Sequence, residues 1–201
     1  MGIINAIFVS FCALFIALDG IGLLPKFSIF VQDIPAKENK KNLISSVYMA
    51  LAIGVGLMIA GRIIAWMIGL ATADFQIGAG IVLFVLSIYY LLKPEARINF
   101  NPASSNILPL ATPIIIGPSV IAMILVLMSS YGLIITTISL AANMFIVYII
   151  FRNAVKLQTV LGDNGVALLS KIVDILLSVF AIMLIKNGVI ALFIKFLSKN
   201  M

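Results

Sequence analysis

Phe15-Ile16-Ala17-Leu18-Asp19-Gly20-Ile21-Gly22-Leu23-Leu24-Pro25 lies inside a hydrophobic run long enough to cross a bilayer. An ionised carboxylate in hydrocarbon is costly, so an acid in such a run is a functional candidate by default. Two glycines and a proline follow Asp19 within six residues. Gly lowers helix propensity by about 1 kcal/mol and Pro by about 3 kcal/mol in a helix interior. The stretch therefore predicts a helix, a short extended break, and a second half-helix with Pro25 in its first turn, where the missing N–H has no partner to lose. Unwound backbone at membrane depth is tolerated only against protein or a water-filled cavity. An acid beside a broken helix thus reads as a transporter binding site. The plainer alternative is a kinked helix in which Asp19 caps its own second half.

Composition sets the class. Of 201 residues, 63% are hydrophobic and 10% charged, and the mean hydropathy is +1.25. Soluble domains carry about 45–50% apolar and about 25% charged residues, so this is an integral membrane protein. The net charge of +6 falls in short loops, where it bears on topology and anionic lipid. No basic stripe interleaved with aromatics is present, which argues against nucleic acid as a partner. The chain has no His and one cysteine, Cys12. That removes histidine bases, His or multi-Cys metal sites and internal disulfides, and no cofactor is expected. The first apolar run lacks a charged leader and a small-residue cleavage site, and is expected to be a span rather than a signal peptide.

Six spans are expected, at 3–31 (interrupted at 19–25), 43–70, 75–92, 107–130, 133–151 and 166–194. Polar loops are expected at 32–42, at 93–106 and from Arg152 to Gly165, with a charged tail after 194. In span two, Gly61, Ala65 and Gly69 recur at every fourth position, and Ala52, Gly56 and Ala60 do so on another face. This spacing lets helices approach closely and reads as packing. Arg62 reads as an interfacial anchor beside Trp66, with Asp74 a candidate partner. Span four carries the second cluster of breakers, Thr112-Pro113-Ile114-Ile115-Ile116-Gly117-Pro118. Pro118 again suits a first helical turn, with Ser119 available to satisfy an exposed N–H.

Spans one and four, the first of each half, are both broken. Three spans per half is an odd number, so the second half would enter the membrane from the opposite side. The chain is therefore expected to be one all-α membrane domain of two inverted three-helix repeats, roughly 1–95 and 103–201, whose paired breaks mark the site. Residues 19–24 and 112–117 should be non-helical and meet near the bilayer middle. Connections one–two, three–four and five–six hold Lys37, Lys40, Lys41, Lys93, Arg97, Arg152 and Lys156, whereas the other two hold no Lys or Arg. The positive-inside rule then places both termini outside the cell membrane. Only Lys195 and Lys199 in the tail oppose this. Along straight helices Asp19 lies about 24 Å from Ile3 and Asp174 about 14 Å from Gly165, at about 1.5 Å per residue. The two acids are thus expected at similar depth.

These segments resemble the MarC family, which includes the SnatA-type transporters of small neutral amino acids. The resemblance covers nearly the whole chain. It rests on Leu14-Phe15 with Asp19 to Pro25, on Phe75-Gln76-Ile77-Gly78-Ala79-Gly80-Ile81-Val82-Leu83-Phe84, and on Pro109-Leu110-Ala111-Thr112-Pro113-Ile114-Ile115-Ile116-Gly117-Pro118. Leu161-Gly162 and the stretch from Lys171-Ile172 to Asn187-Gly188 complete it. It implies six spans in two inverted halves and proton-coupled movement of glycine- or alanine-like substrates. The family usually carries Asn-Pro where Asp19-Gly20 stands and a small residue where Asp174 stands, so both departures introduce an acid.

The expected function is a secondary transporter rather than an enzyme. Its substrate-binding residues would be Asp19, Gly20, Gly22, Pro25, Thr112, Pro113, Gly117 and Pro118, with Asp19 and Asp174 coupling the proton and no catalytic or metal site. A zwitterion suits this set: its carboxylate can meet half-helix N-termini near Pro25 and Pro118, and its ammonium Asp19 or freed carbonyls. Partners are then a small amino acid, a proton or other coupling ion, and the bilayer; self-association is left open. One alternative is an intramembrane aspartyl hydrolase using Asp19 and Asp174, which lacks the usual Gly-x-Gly-Asp order. The other is a passive channel or scaffold with structural acids, Asp174 pairing with Lys171.

Overall fold

In the computed structural model, residues 2–20, 22–24, 36–93 and 115–200 are described, with backbone alone at 36–40 and 199–200. They form five helices and no strand: α1 (Ile3–Leu18), α2 (Ala36–Ile68), α3 (Thr72–Leu92), α4 (Pro118–Arg152) and α5 (Ala154–Asn200). Four of them, α2 to α5, contain stretches long and apolar enough to cross a membrane. Large apolar side chains such as Ile4, Phe8, Trp66, Ile134, Phe145 and Phe193 point outward, as a lipid-facing surface requires.

The helix ends follow local chemistry. Asp74 Oδ2 accepts the Ala71 N–H at 2.8 Å and so caps α3; this is the bond it makes, whereas the sequence offered it only as a candidate partner for Arg62. Gly117, extended at φ −79 and ψ 175, is the N-cap of α4 and Pro118 its first residue, as the sequence predicts. Two expected loops are corrected. Residues 36–42 are helical and open α2. The Arg152–Gly165 segment is mostly helix, Ala154 onward, interrupted at Gly162 (φ 65, ψ 167). The charged tail is helical to Asn200. Local polarity does not stop a helix whose backbone bonds are already satisfied.

Residues 107–114 of expected span four lie outside the described residues, while its part from Pro118 onward and expected span five fall within α4. Between them Gly132 has φ 84 and ψ 173, a non-helical conformation that glycine reaches without strain. The chain folds back there. A Cβ built at Gly54 of α2 would lie 2.6 Å from Leu140 Cδ2 and 3.5 Å from Ile124 Cδ1. On one straight helix those two residues would be about 24 Å apart, at about 1.5 Å per residue. One point on α2 touches both, so 118–131 and 133–152 lie side by side.

Packing divides the bundle. α3 and α5 form the most extensive pair, and α4 packs broadly on α1 and on α2. α3 touches α4 less, and α5 meets α1 and α4 only sparsely. One body is therefore α1, α2 and α4; the other is α3 and α5. The core is centred on the first body, with Leu14, Met58, Met123, Ile124, Leu140 and Met144 almost wholly buried, and continues into the second through Leu83, Leu177 and Ala181. Within the second, Gly188 sits against Ala73 and Ile77, and Gly80 against Ala181 and Ile185. α3 and α5 thus run antiparallel, and the same register sets Asp174 opposite Tyr90, whose electrostatic environment it shares.

Candidate functional site

The site begins where α1 stops. Its 16 residues reach about 24 Å, at about 1.5 Å per residue, short of a bilayer core of about 30 Å. Asp19 terminates it in the left-handed conformation, φ 38 and ψ 55, which Asp tolerates better than most side chains. Its N–H donates to the Phe15 carbonyl at 3.3 Å. Its side chain turns inward, leaving the residue 7% exposed. Oδ1 accepts the Gly22 N–H at 3.1 Å, and Oδ2 accepts the Ser170 hydroxyl of α5 at 3.2 Å. The first contact is the self-capping turn foreseen for a kinked helix. The second ties the break to a distant helix.

The second break lies against the first. A helix leaves its last four carbonyls without backbone partners, and Ala17 holds one of them. The buried Ser119 hydroxyl, in the first turn of α4, donates to the Ala17 carbonyl at 2.9 Å. Ser119 therefore does not cap its own helix, as the sequence suggested; it joins two breaks 102 residues apart. Farther along α1, Ser139 Oγ donates to the Ile7 carbonyl at 3.3 Å and Asn143 Nδ2 to the Phe11 carbonyl at 3.1 Å. This polar seam fixes the register of α1 on α4.

The predicted site residues divide accordingly. Asp19, Gly22, Gly117 and Pro118 gather at the junction. Gly20 faces α4, where a Cβ would meet Ile150 at 3.5 Å and Val147 at 3.6 Å, ordinary packing contact. Asp19, Gly20, Gly22 and Leu23 are non-helical, and Leu24 and Ile115 carry helical backbone. Pro25, Thr112 and Pro113 lie outside the described residues. Asp174 is 3% exposed and four residues beyond Ser170, one turn along the same face, while Lys171 is exposed. The α3–α5 register sets Ser170 level with the last turn of α3, whereas Pro118 shares a groove with Val82, midway along α3. Ser170 was missed by sequence reading. Its position one turn before a buried acid is the signal that could have found it.

Between the two bodies runs a groove of about 390 Å³ lined by Phe75, Gly78, Ala79, Val82, Pro118 and Ile121 among others. It extends from Asp74, at the start of α3, to Pro118 at the second break. No cluster of three metal-ligating side chains occurs among the described residues.

An apolar helical bundle with a buried acid at paired helix ends defines an integral membrane protein. Residues 4–193 match the MarC family integral membrane proteins, and the chain belongs to that family. It is 25% identical over 192 residues to a UPF0056 membrane protein of Methanocaldococcus jannaschii, covering 90% of this chain and 94% of that one. It is 27% identical over 199 residues to a UPF0056 membrane protein of Archaeoglobus fulgidus, covering 93% of each. It is also 26% identical over 193 residues to the UPF0056 inner membrane protein YhgN of Escherichia coli, covering 92% of this chain and 96% of YhgN. No solved structure matches the chain.

Proposed function

We propose that this protein is a carrier, not an enzyme: a proton-coupled secondary transporter of small neutral amino acids, working by alternating access in the cell membrane with both termini outside. The reading takes the chain as six spans in two inverted halves. The observation that carries it is the contact between the breaks, Ser119 Oγ to the Ala17 carbonyl at 2.9 Å, beside the buried Asp19. The antiparallel α3–α5 pair supports it, because an in-plane pseudo-two-fold axis would relate the last span of each half. The fold-back at Gly132 supports it too, since it divides α4 where spans four and five were expected to part. In this reading the substrate ammonium meets Asp19, and its carboxylate meets the unpaired N–H groups in the first turn of α4. Gly20, Gly22, Pro25, Thr112, Pro113 and Gly117 complete the pocket, and Asp174 assists Asp19 in carrying the proton.

Counterflow of glycine or alanine in proteoliposomes tests the reading. Wild type should exchange substrate, and an inward proton gradient should drive accumulation. Asp19→Asn should keep exchange and lose accumulation. Gly117→Leu should lose both while remaining folded, because a bulky side chain would fill the junction. Absence of counterflow by folded wild type for every small neutral amino acid tried would sink the proposal.

A further inference from the structure

The two bodies meet chiefly where α3 packs on α4, with only sparse contacts from α5 to α1 and α4, and polar bonds cross this seam at both ends. At one end the Thr72 hydroxyl donates to the Ser129 carbonyl at 3.2 Å, and the Ser129 hydroxyl to Thr72 Oγ1 at 2.9 Å. These groups are neutral and do not titrate near pH 7. At the other end Ser170 of α5 donates to Asp19 Oδ2 at 3.2 Å, where α5 otherwise touches α1 sparsely. The groove of about 390 Å³ lies in this seam, between α3 and α4. A hydroxyl bond to an ionised carboxylate is roughly twice as strong as a neutral one. The two clasps therefore differ in kind: the Ser170 bond rests on a carboxylate, while the Thr72–Ser129 bonds hold no titratable group, the nearby Asp74 carboxylate accepting the Ala71 N–H of its own helix instead.

We infer that Ser170 is the positioning residue that converts the protonation state of Asp19 into opening of the seam between the α3–α5 pair and the α1–α2–α4 body. With Asp19 ionised, the bond holds α5 against the end of α1. When Asp19 takes a proton, the acceptor becomes neutral, the bond weakens, and the Ser170 hydroxyl is released toward Asp174 one turn away on its own helix. No covalent bond other than the carboxyl O–H forms, and the proton comes from solvent. Among the described residues, the other titratable or charged groups around this end are Asp174 and Lys171 on α5, Tyr90 and Lys93 at the end of α3, and Tyr148 and Arg152 at the end of α4. Asp19 accepts a hydroxyl from across the seam, at Ser170 of α5, and so sets the clasp. This inference rests on the transporter reading for its purpose but not for its measurement.

The test needs no substrate. In a Cys12→Ala background, spin labels replace Ile149 of α4 and Leu92 of α3, both exposed at the Asp19 end. Their separation is measured in nanodiscs near neutral pH and after acidification. Wild type should show a shift of several ångström to longer distance on acidification. Ser170→Ala should show the longer distance at both pH values, and Ser170→Thr, which keeps the hydroxyl, should restore the wild-type response. Asp19→Asn should match acidified wild type at both values, which keeps the test decisive should Ser170→Ala not fold. A wild-type distance indifferent to pH, or a folded Ser170→Ala that responds as wild type does, overturns the inference. A pH-dependent distance in a protein without counterflow would leave the clasp standing and remove the transporter reading instead.

Discussion

The α3–α5 interface and the α1–α4 interface solve the same problem by opposite means. Between α3 and α5 the contact is backbone against side chain with nothing to spare. A Cβ at Gly80 would stand 2.7 Å from Ile185 Cγ1 and 3.0 Å from the Ala181 carbonyl. One at Gly188 would stand 2.6 Å from Ile77 Cγ1 and 2.9 Å from the Ala73 carbonyl. Between α1 and α4 the contact is specified by hydroxyls and an amide reaching the partner's carbonyls, at Ser119, Ser139 and Asn143. Close glycine packing tolerates no insertion and gives a rigid pair. Polar contacts cost less to break singly and set register, and they surround the one junction with a buried acid on a broken helix. In a bilayer, where lipid is as apolar as leucine, both kinds of contact are needed to choose one arrangement among many.

The largest effect should come from overfilling the glycine interface. Gly80→Leu or Gly188→Leu should cost about 3 kcal/mol or prevent assembly, overpacking being severe where backbone is the obstacle; thermal unfolding in detergent measures it. Gly78→Leu is the control on the same helix, because a Cβ there meets nothing within 4 Å, and its melting temperature should stay near wild type. If Gly78→Leu and Gly80→Leu destabilise alike, the distinction between the two faces of α3 is wrong.

On the polar side, Asn143→Ala removes donors to the Phe11 and Ser139 carbonyls. It should cost about 1–2 kcal/mol, the range for buried hydrogen bonds, read as a lower unfolding midpoint. At the fold-back, Gly132→Ala has open space around its Cβ but a φ of 84°. It should cost at least about 1 kcal/mol from backbone strain alone, because φ 84 with ψ 173 is open essentially to glycine, and Gly132→Asn, whose tolerance is for the left-handed helical region, should lose as much. The smallest stability change is expected at Asp19→Asn, within about 1 kcal/mol, because Asn also accepts a left-handed conformation and keeps a carbonyl oxygen for the Gly22 N–H. That variant should nonetheless lose gradient-driven accumulation. A stable fold with failed coupling would separate the junction from the packing faces; a collapsed fold would merge them.

The membrane class, the family and the two breaks were legible because each rests on short-range chemistry. Apolar runs must leave water, Gly-Pro clusters end helices, and Pro118 can only begin one. The glycines of span two were read as packing, and Gly61 does press against Leu125 of α4, yet Gly56 faces open space. A four-residue period identifies a face but not which face finds a partner. Helix lengths at 36–42 and 154–165 were misread because polarity marks where a chain meets water, not where its backbone bonds stop.

By itself the sequence determined that this protein lives in a membrane, that its first apolar helix ends at an acid, and that another helix begins at a Gly-Pro pair about a hundred residues later, since composition and backbone propensity act locally. The tertiary structure decided that Ser119 closes the orphan carbonyl of Ala17, that Ser170 of α5 reaches Asp19, and that the chain folds back at Gly132. Those outcomes join residues far apart in the chain. Which distant partner satisfies a buried carbonyl or carboxylate depends on how whole helices pack, and no local pattern encodes that choice.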